Sequence, residues 1–264
     1  MEHLGFEIKD RIATITLNRP ERKNALSVPM LDAWVEALKE CHESDAVNVI
    51  VLTGTGDAFC AGGDVGRMNN SAENKTETPL DQKNFIWKGI NRVPLMLQQI
   101  DKPYLVAVNG TAAAAGMDMA LLGDMIFAAE SARFGETYIR MGVVPGDGGG
   151  WLLPRLVGTQ RALEMLWLGD FIDAREAERI GLVNKVVPDD QLMSYTYSVA
   201  DRLARGPSVA IQFTKRIVYQ ARTMDFSAHL DQVTSHMGSL KSTEDHKEAV
   251  KAFMEKRKPV FKGR

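Results

Sequence analysis

The sequence predicts an α/β core followed by a helical C-terminal segment. Two observations carry this. Short β-leaning apolar runs alternate with helix-period stripes through about position 185, and beyond it the pattern is helical almost throughout. Within 264 residues there is no internal repeat, low-complexity tract or long linker, and that length allows one large domain or two small ones.

The elements follow in order. Phe6–Ile8 and Ile12–Leu17 alternate apolar and polar residues around Lys9-Asp10, which predicts a hairpin ended by Asn18-Arg19-Pro20. Ser27 is a candidate N-cap with Pro29 in the first turn, and Leu31, Trp34, Val35 and Leu38 then form a helical stripe. Val47–Thr53 is a strand-like run closed by glycines 54 and 56. Residues 66–84 are polar with little periodicity and read as a mobile surface loop or lid; Phe85–Gln99 looks helical. Pro103–Val108 is a buried strand, an Ala-rich helix starts near Ala114, and Met125–Ala129 is another strand. Gly146–Gly150 holds four glycines and Asp147, too flexible for an element interior. Thr159 is a candidate cap for a helix carrying Leu163, Leu166 and Trp167. Asp173-x-x-Glu176 is a capping-box pattern, Gly181 sits where a C′ glycine belongs, and Leu182–Val187 is a strand. The last helix puts Ala249, Val250, Phe253 and Met254 on one face.

Composition narrows the class. Hydrophobic residues make up 45% and charged residues 25%, ordinary for a globular chain with its own core. The net charge of -2 argues against a nucleic-acid or membrane-surface binder. Cys41 and Cys60 are too few for a disulfide framework. No apolar run approaches the ~20 residues of a membrane helix, and the start lacks a secretory pattern, so the expected location is cytoplasmic. The five histidines show no metal-ligand spacing, so no metal site is expected.

Three segments carry chemistry. In Ala58-Phe59-Cys60-Ala61-Gly62-Gly63-Asp64-Val65 two glycines follow a strand and leave N–H groups open to a ligand; taken alone, the segment reads first as an ordinary turn. In Asn109–Asp118 a strand runs through small residues into a helix start, where free N–H groups suit a developing oxyanion; tight helix packing is the alternative. In Phe134–Gly149 glycines and an acid either line a pocket or join two elements. Gly54-Thr55-Gly56 lacks the third glycine of a dinucleotide fingerprint, and no Gly-x-Ser-x-Gly elbow is present.

Taken together and in this order, these segments resemble the crotonase superfamily, the enoyl-CoA hydratase/isomerase family. The similarity extends to Leu17-Asn18-Arg19-Pro20 with Asn24-Ala25-Leu26, to Ala174–Pro188 with Gly181-Leu182-Val183-Asn184, and to Phe253–Pro259. The resemblance implies a spiral of repeated ββα units over residues 1–195. It further implies a helical segment, 196–264, for oligomerisation and active-site closure, and a homotrimer or dimer of trimers. It implies an acyl-CoA substrate and no cofactor beyond that coenzyme A thioester. Two backbone N–H groups, here Gly63 and Ala115, would hold the thioester oxygen and stabilise an enolate.

The acids depart from the family's pair of glutamates. At the first position stands Asp118, one methylene shorter; at the second stands Tyr138, a phenol that cannot replace a carboxylate base. Asp147 lies nine residues further on, in the glycine-rich turn. The resemblance thus implies catalysis by Gly63, Ala115, Asp118 and Asp147, with Asp118 as general acid/base and Asp147 as partner or alternate base. Lys23, Ala25, Ala61, Asp64, Val65, Trp87, Tyr138, Trp151 and Lys256 are the substrate-binding candidates, Tyr138 as a pocket-lining hydroxyl. Cys60 is read as packing. Loss of the second glutamate favours double-bond isomerisation over hydration. Thioester hydrolysis, an inactive acyl-CoA-binding protein and an RNA-binding protein are the other readings.

Overall fold

The computed structural model describes residues 1–64 and 78–264. Its core is two sheets wound by one repeated step. Strands β1 (Leu4–Lys9), β2 (Ile12–Leu17), β3 (Val49–Gly54), β5 (Tyr104–Val108), β7 (Met125–Ala129) and β10 (Lys185–Val187) make a six-stranded sheet in that order. Strands β4 (Ala58–Cys60), β6 (Thr111–Ala113), β8 (Arg133–Gly135) and β9 (Ile172–Asp173) make a four-stranded one. The chain enters the large sheet, crosses at once to the small sheet, and returns through helix. β3 and β4 are followed by α2 (Pro79–Lys88) and α3 (Arg92–Leu97). β5 and β6 are followed by α4 (Ala115–Leu121), and β7 and β8 by α5 (Gly149–Val157) and α6 (Thr159–Leu168). The ββα spiral implied by the resemblance is present.

The β1–β2 hairpin is antiparallel, and β2, β3, β5, β7 and β10 pair in parallel. Parallel strands covered on both faces should be apolar without alternation, and β3 and β5 are buried throughout. Ile50, Leu52, Val106 and Val108 face α1 (Val28–Glu43) and its Trp34. Val49, Val51, Leu105 and Ala107 face Leu192, Ala200 and Ala204 of α8 (Leu192–Ala204). Asn48 ties that helix down by donating to the Ala204 carbonyl at 2.8 Å. Ser27 caps α1, accepting from the Met30 N–H, and Asp173 caps α7 (Ala174–Arg179). Helices α9 (Ser208–Gln220), α10 (Phe226–Lys241) and α11 (Glu244–Met254) complete the chain.

Several sequence expectations change. The stretch read as a loop over 66–84 is already helical from Pro79, because Thr78 and Asp81 form a reciprocal capping box; residues 65–77 lie outside the described residues. The helix expected over Phe85–Gln99 is broken at Gly89, where a Cβ would meet the Phe85 carbonyl at 2.3 Å. Thr159 is the first residue of α6 rather than its cap; Gly158, at φ +78°, takes that place. On α6 the core takes Ala162 and Met165, whereas Trp167 is exposed. On α11 the buried residues are Asp245 and Ala252, and Val250, Phe253 and Met254 face outward from the chain.

Candidate active site

The N-terminal wall is made of backbone. Asn24 is fully buried, with φ +55°, and its side chain joins three segments. It accepts from the Arg19 N–H at 2.8 Å and donates to the Thr55 and Ala58 carbonyls at 2.8 Å each. The Ala61 N–H donates to the Lys23 carbonyl and the Leu26 N–H to that of Gly62, pairing Leu26 with Gly63. Arg19 holds Asp64, the residue after Gly63, at 2.7 Å. The Asn-Arg-Pro and Asn-Ala-Leu motifs thus act as a brace for the Gly62-Gly63-Asp64 loop. Cys60 is fully buried, with its thiol donating to the Asn24 carbonyl, and burial pushes that thiol up to about 12. It is packing, as expected, and carries no nucleophile.

Helix α4 begins beside this loop. A Cβ on Gly62 would lie 2.9 Å from the Ala113 carbonyl and 3.4 Å from the Ala115 nitrogen. One on Gly116 would collide with the Cys60 carbonyl at 2.2 Å, so only glycine lets α4 approach β4 so closely. The unusual dihedrals fall on Ala114, at φ +45°, not on Ala115. Ala115 is the first helical residue, and its N–H belongs to the free set at a helix start.

The opposite wall is a cluster of acids. Asp118, in the first turn of α4, is fully buried. A 3-10 turn, Thr137–Met141, presents Tyr138, and the glycine-rich turn leading into α5 presents Asp147. The Tyr138 hydroxyl lies 2.8 Å from Asp118 Oδ2 and 2.8 Å from Asp147 Oδ2. The Asp147 N–H reaches Asp118 Oδ2 at 3.3 Å, and the Gly149 N–H also donates to Asp118. A Cβ on Gly149 would sit 2.1 Å from Asp118 Oδ1, so the start of α5 can close on the acid only as glycine. Tyr138 is therefore more than pocket lining: it joins the two aspartates.

A third carboxyl stands in the same cluster. Glu136 directly follows β8 and is fully buried, and its Oε1 converges with Asp118 Oδ1 on the start of α5, where a Gly149 Cβ would lie 3.0 Å from the one and 2.1 Å from the other. The sequence reading passed over it. Its one signal is an acid directly after Phe134-Gly135. Nothing in the spacing says that this acid turns inward.

Burial dominates the protonation of all four groups. Desolvation raises Asp118 above the usual aspartate range, against donors from Tyr138, Glu136, Gly149 and Asp147. Asp147 is raised to about 6 by burial, with Tyr138 opposing and the Asp118 charge adding. Glu136 is raised to about 10 by burial and by the charge on Asp118. Tyr138 is pushed far above the ordinary phenol range by burial and the two aspartates. At neutral pH Glu136 and Tyr138 hold their protons, and Asp147 titrates just below.

The other candidates divide. Ala25, Ala61 and Asp64 lie in the braced loop region. Lys23 stands there too, ion-paired with Asp57. Val65 lies outside the described residues. Trp87 is exposed on α2; Trp151 is half-exposed on α5, stacked by Arg155 at 4.0 Å and Arg222 at 5.2 Å. Lys256 follows α11 and is exposed, and among the described residues its ammonium has no ion-pair partner.

Comparison with known proteins agrees with this fold. Residues 7–264 match the family described as enoyl-CoA hydratase/isomerase. The chain is 34% identical to the 1,2-epoxyphenylacetyl-CoA isomerase of Escherichia coli K12, over 100% of both chains. It is 36% identical to the 2,3-dehydroadipyl-CoA hydratase of the same organism, again over 100% of both. Among solved structures, an enoyl-CoA hydratase from Bacillus anthracis superposes with a TM-score of 0.91 at 30% identity, covering 100% of each chain. On the fold, the motifs and these matches, the chain belongs to the enoyl-CoA hydratase/isomerase family and is an acyl-CoA enzyme.

Proposed function

We propose that the protein shifts a carbon–carbon double bond in an enoyl-CoA thioester, moving a proton between carbons without adding water. The relatives' names divide between isomerase and hydratase, so names do not decide the reaction. One observation carries the reading: the Tyr138 hydroxyl sits between the two aspartates, 2.8 Å from each. Hydration needs a water held between two acid/base groups there. A phenol fills that point, and at its raised pKa it cannot become the nucleophile.

The thioester oxygen would accept from the Gly63 and Ala115 N–H groups, so charge developing on it meets fixed donors. A carboxylate then takes a proton from the carbon next to the carbonyl. The dienolate forms, and the proton returns two carbons further along. The sequence reading gave this work first to Asp118. Burial favours Asp147, which keeps 7% of its surface exposed where Asp118 keeps 0%. With its carboxyl raised to about 6, Asp147 is ionised at neutral pH yet returns a proton readily. Asp118 is its partner through Tyr138. In the same proposal Ala25, Ala61, Asp64, Trp87, Trp151, Lys23 and Lys256 meet the acyl-CoA, and the exposed apolar residues of α11 are covered in a trimer.

The test is a panel of 2-enoyl-, 3-enoyl- and 3-oxoacyl-CoA esters incubated in D2O and read by mass spectrometry. Isomer with deuterium exchange and no added water is expected. Mass gain from water would make the enzyme a hydratase, and free coenzyme A a hydrolase.

A further inference from the structure

The acid cluster holds more carboxyl groups than proton transfer requires. Glu136 is as buried as Asp118, yet the two are unequally served. Asp118 receives the Asp147 and Gly149 N–H groups and lies within hydrogen-bond range of the Tyr138 hydroxyl. Neither Glu136 carboxyl oxygen has a backbone or neutral side-chain donor, and Asp118 Oδ1 has none either. Glu136 Oε1 and Asp118 Oδ1 nevertheless converge on one point at the start of α5, 3.0 and 2.1 Å from where a Gly149 Cβ would stand. Two ionised carboxylates held there without a donor would repel, since each only accepts. One of them must hold a proton. It belongs on Glu136, because every other donor in the cluster stabilises charge on Asp118 and none stabilises charge on Glu136.

From this geometry we infer that Glu136 is a positioning residue: a carboxylic acid that keeps its proton and donates it to Asp118 Oδ1. It fixes the Asp118 carboxylate as the standing anion of the cluster and leaves proton exchange with substrate to Asp147. Three titratable groups face Glu136 in this cluster. They are Asp118 itself from α4, Tyr138 from the 3-10 turn, and Asp147 from the turn before α5. Helix α5 meets both carboxyls through its Gly149 backbone. Among the described residues, no lysine, arginine or histidine enters the cluster's hydrogen bonds, so none of them offers Glu136 a reason to ionise. The high pKa of Glu136 agrees with this assignment. The inference deepens the isomerase reading and rests on it for the role of Asp147.

The experiment compares Glu136→Gln with Glu136→Met on whichever CoA ester is turned over. Gln keeps a donor and cannot ionise; Met keeps bulk and donates nothing. Glu136→Met should lose at least tenfold in kcat with KM nearly constant, and Glu136→Gln should restore most of that loss with the acid limb of the pH profile in place. In infrared difference spectra near neutral pH, a protonated carboxyl band should be present in the wild type and missing in Glu136→Gln. If Glu136→Met folds poorly, the infrared pair decides alone. The inference is overturned if Glu136→Gln is as slow as Met, if its acid limb moves down by a unit or more, if Glu136→Met is as fast as wild type, or if the wild type lacks the band. A hydrated product would overturn the isomerase reading instead, and the infrared result would stand apart from it.

Discussion

The two walls of the candidate active site are built by opposite means. The Gly62–Ala115 wall is backbone, and its requirement is for missing side chains: a Cβ on Gly116 would strike the Cys60 carbonyl. The wall of Asp118, Glu136, Tyr138 and Asp147 is all side chain, and its behaviour depends on where a few protons sit. A backbone donor presents the same N–H at any ordinary pH, whichever substrate carbon reacts. A carboxyl cluster chooses among reactions by which member is charged. Within one family the first wall can stay constant while the second changes the chemistry, and here a tyrosine stands where the usual second glutamate would.

The largest expected effect breaks the acid wall. Asp147→Asn keeps the shape and removes the proton acceptor, so kcat should fall by ~10²- to 10⁴-fold with little change in KM. Asp118→Asn should fall within the same range, because it removes the anion that Tyr138 and the α5 N–H groups are arranged around. Steady-state kinetics on the true ester check both, and wild-type rates in either variant would remove that aspartate from the mechanism. In the wild type, activity should rise with pH through about 6 as Asp147 gives up its proton.

The backbone wall comes next. Gly63→Pro removes one N–H, and loss of one oxyanion donor costs roughly 2.7–4 kcal/mol, or ~10²- to 10³-fold in kcat. The acid limb near 6 should stay where it is, since Asp147 is untouched. A folded Gly63→Pro protein within a few-fold of wild type would show that Gly63 donates nothing to the transition state.

Much of the first wall was legible in the sequence, and the second only in part. Glycines at 62, 63 and 116 and the small residues from 112 to 115 announce close approach whichever residue they approach. The strands were legible because β3 and β5 are covered on both faces and read as unbroken apolar runs. Asp118, Tyr138 and Asp147 were found by position within a motif. Their joining through one phenol was not, because it depends on three loops meeting in space. Glu136 escaped because an acid's burial is a property of the packing around it. The same limit explains α6, where Trp167 lay on the expected stripe and the fold buries Ala162 and Met165 instead.

A stability measurement sharpens the comparison further. A carboxyl whose folded pKa is raised binds its proton more tightly folded than unfolded, so it lowers stability as pH rises between the two values. For Glu136 that window runs from 4.5 to about 10. Glu136→Gln has no such group, so its stability should gain on wild type as the pH is raised, by at most about 1.4 kcal/mol per pH unit, and its Tm should rise relative to wild type accordingly. Calorimetric scans between about pH 5 and pH 9 check this; parallel Tm curves would mean that Glu136 ionises in the folded protein.

The smallest expected effect asks whether the walls are independent. Arg19 Nη1 donates to Asp64 at 2.7 Å and to the Ala25 carbonyl at 3.3 Å, and only 15% of its side chain is exposed. Arg19→Lys keeps the charge, but its ammonium lies one bond nearer the backbone than Nη1, so the longer of these two bonds is lost. One hydrogen bond is worth about 1 kcal/mol, which is roughly a fivefold change if it acts on the transition state. The loop after Gly62 should loosen by that much, and kcat/KM should fall less than tenfold. Asn24 still joins Arg19 to Thr55 and Ala58 through its own side chain, so the loop keeps its path. No described hydrogen bond or ion pair of Arg19 reaches the acid cluster. The pH profile of Arg19→Lys should therefore superpose on that of wild type after scaling. A displaced acid limb would mean that the braced loop and Asp147 are coupled, and that the backbone wall helps to set the charge on the other.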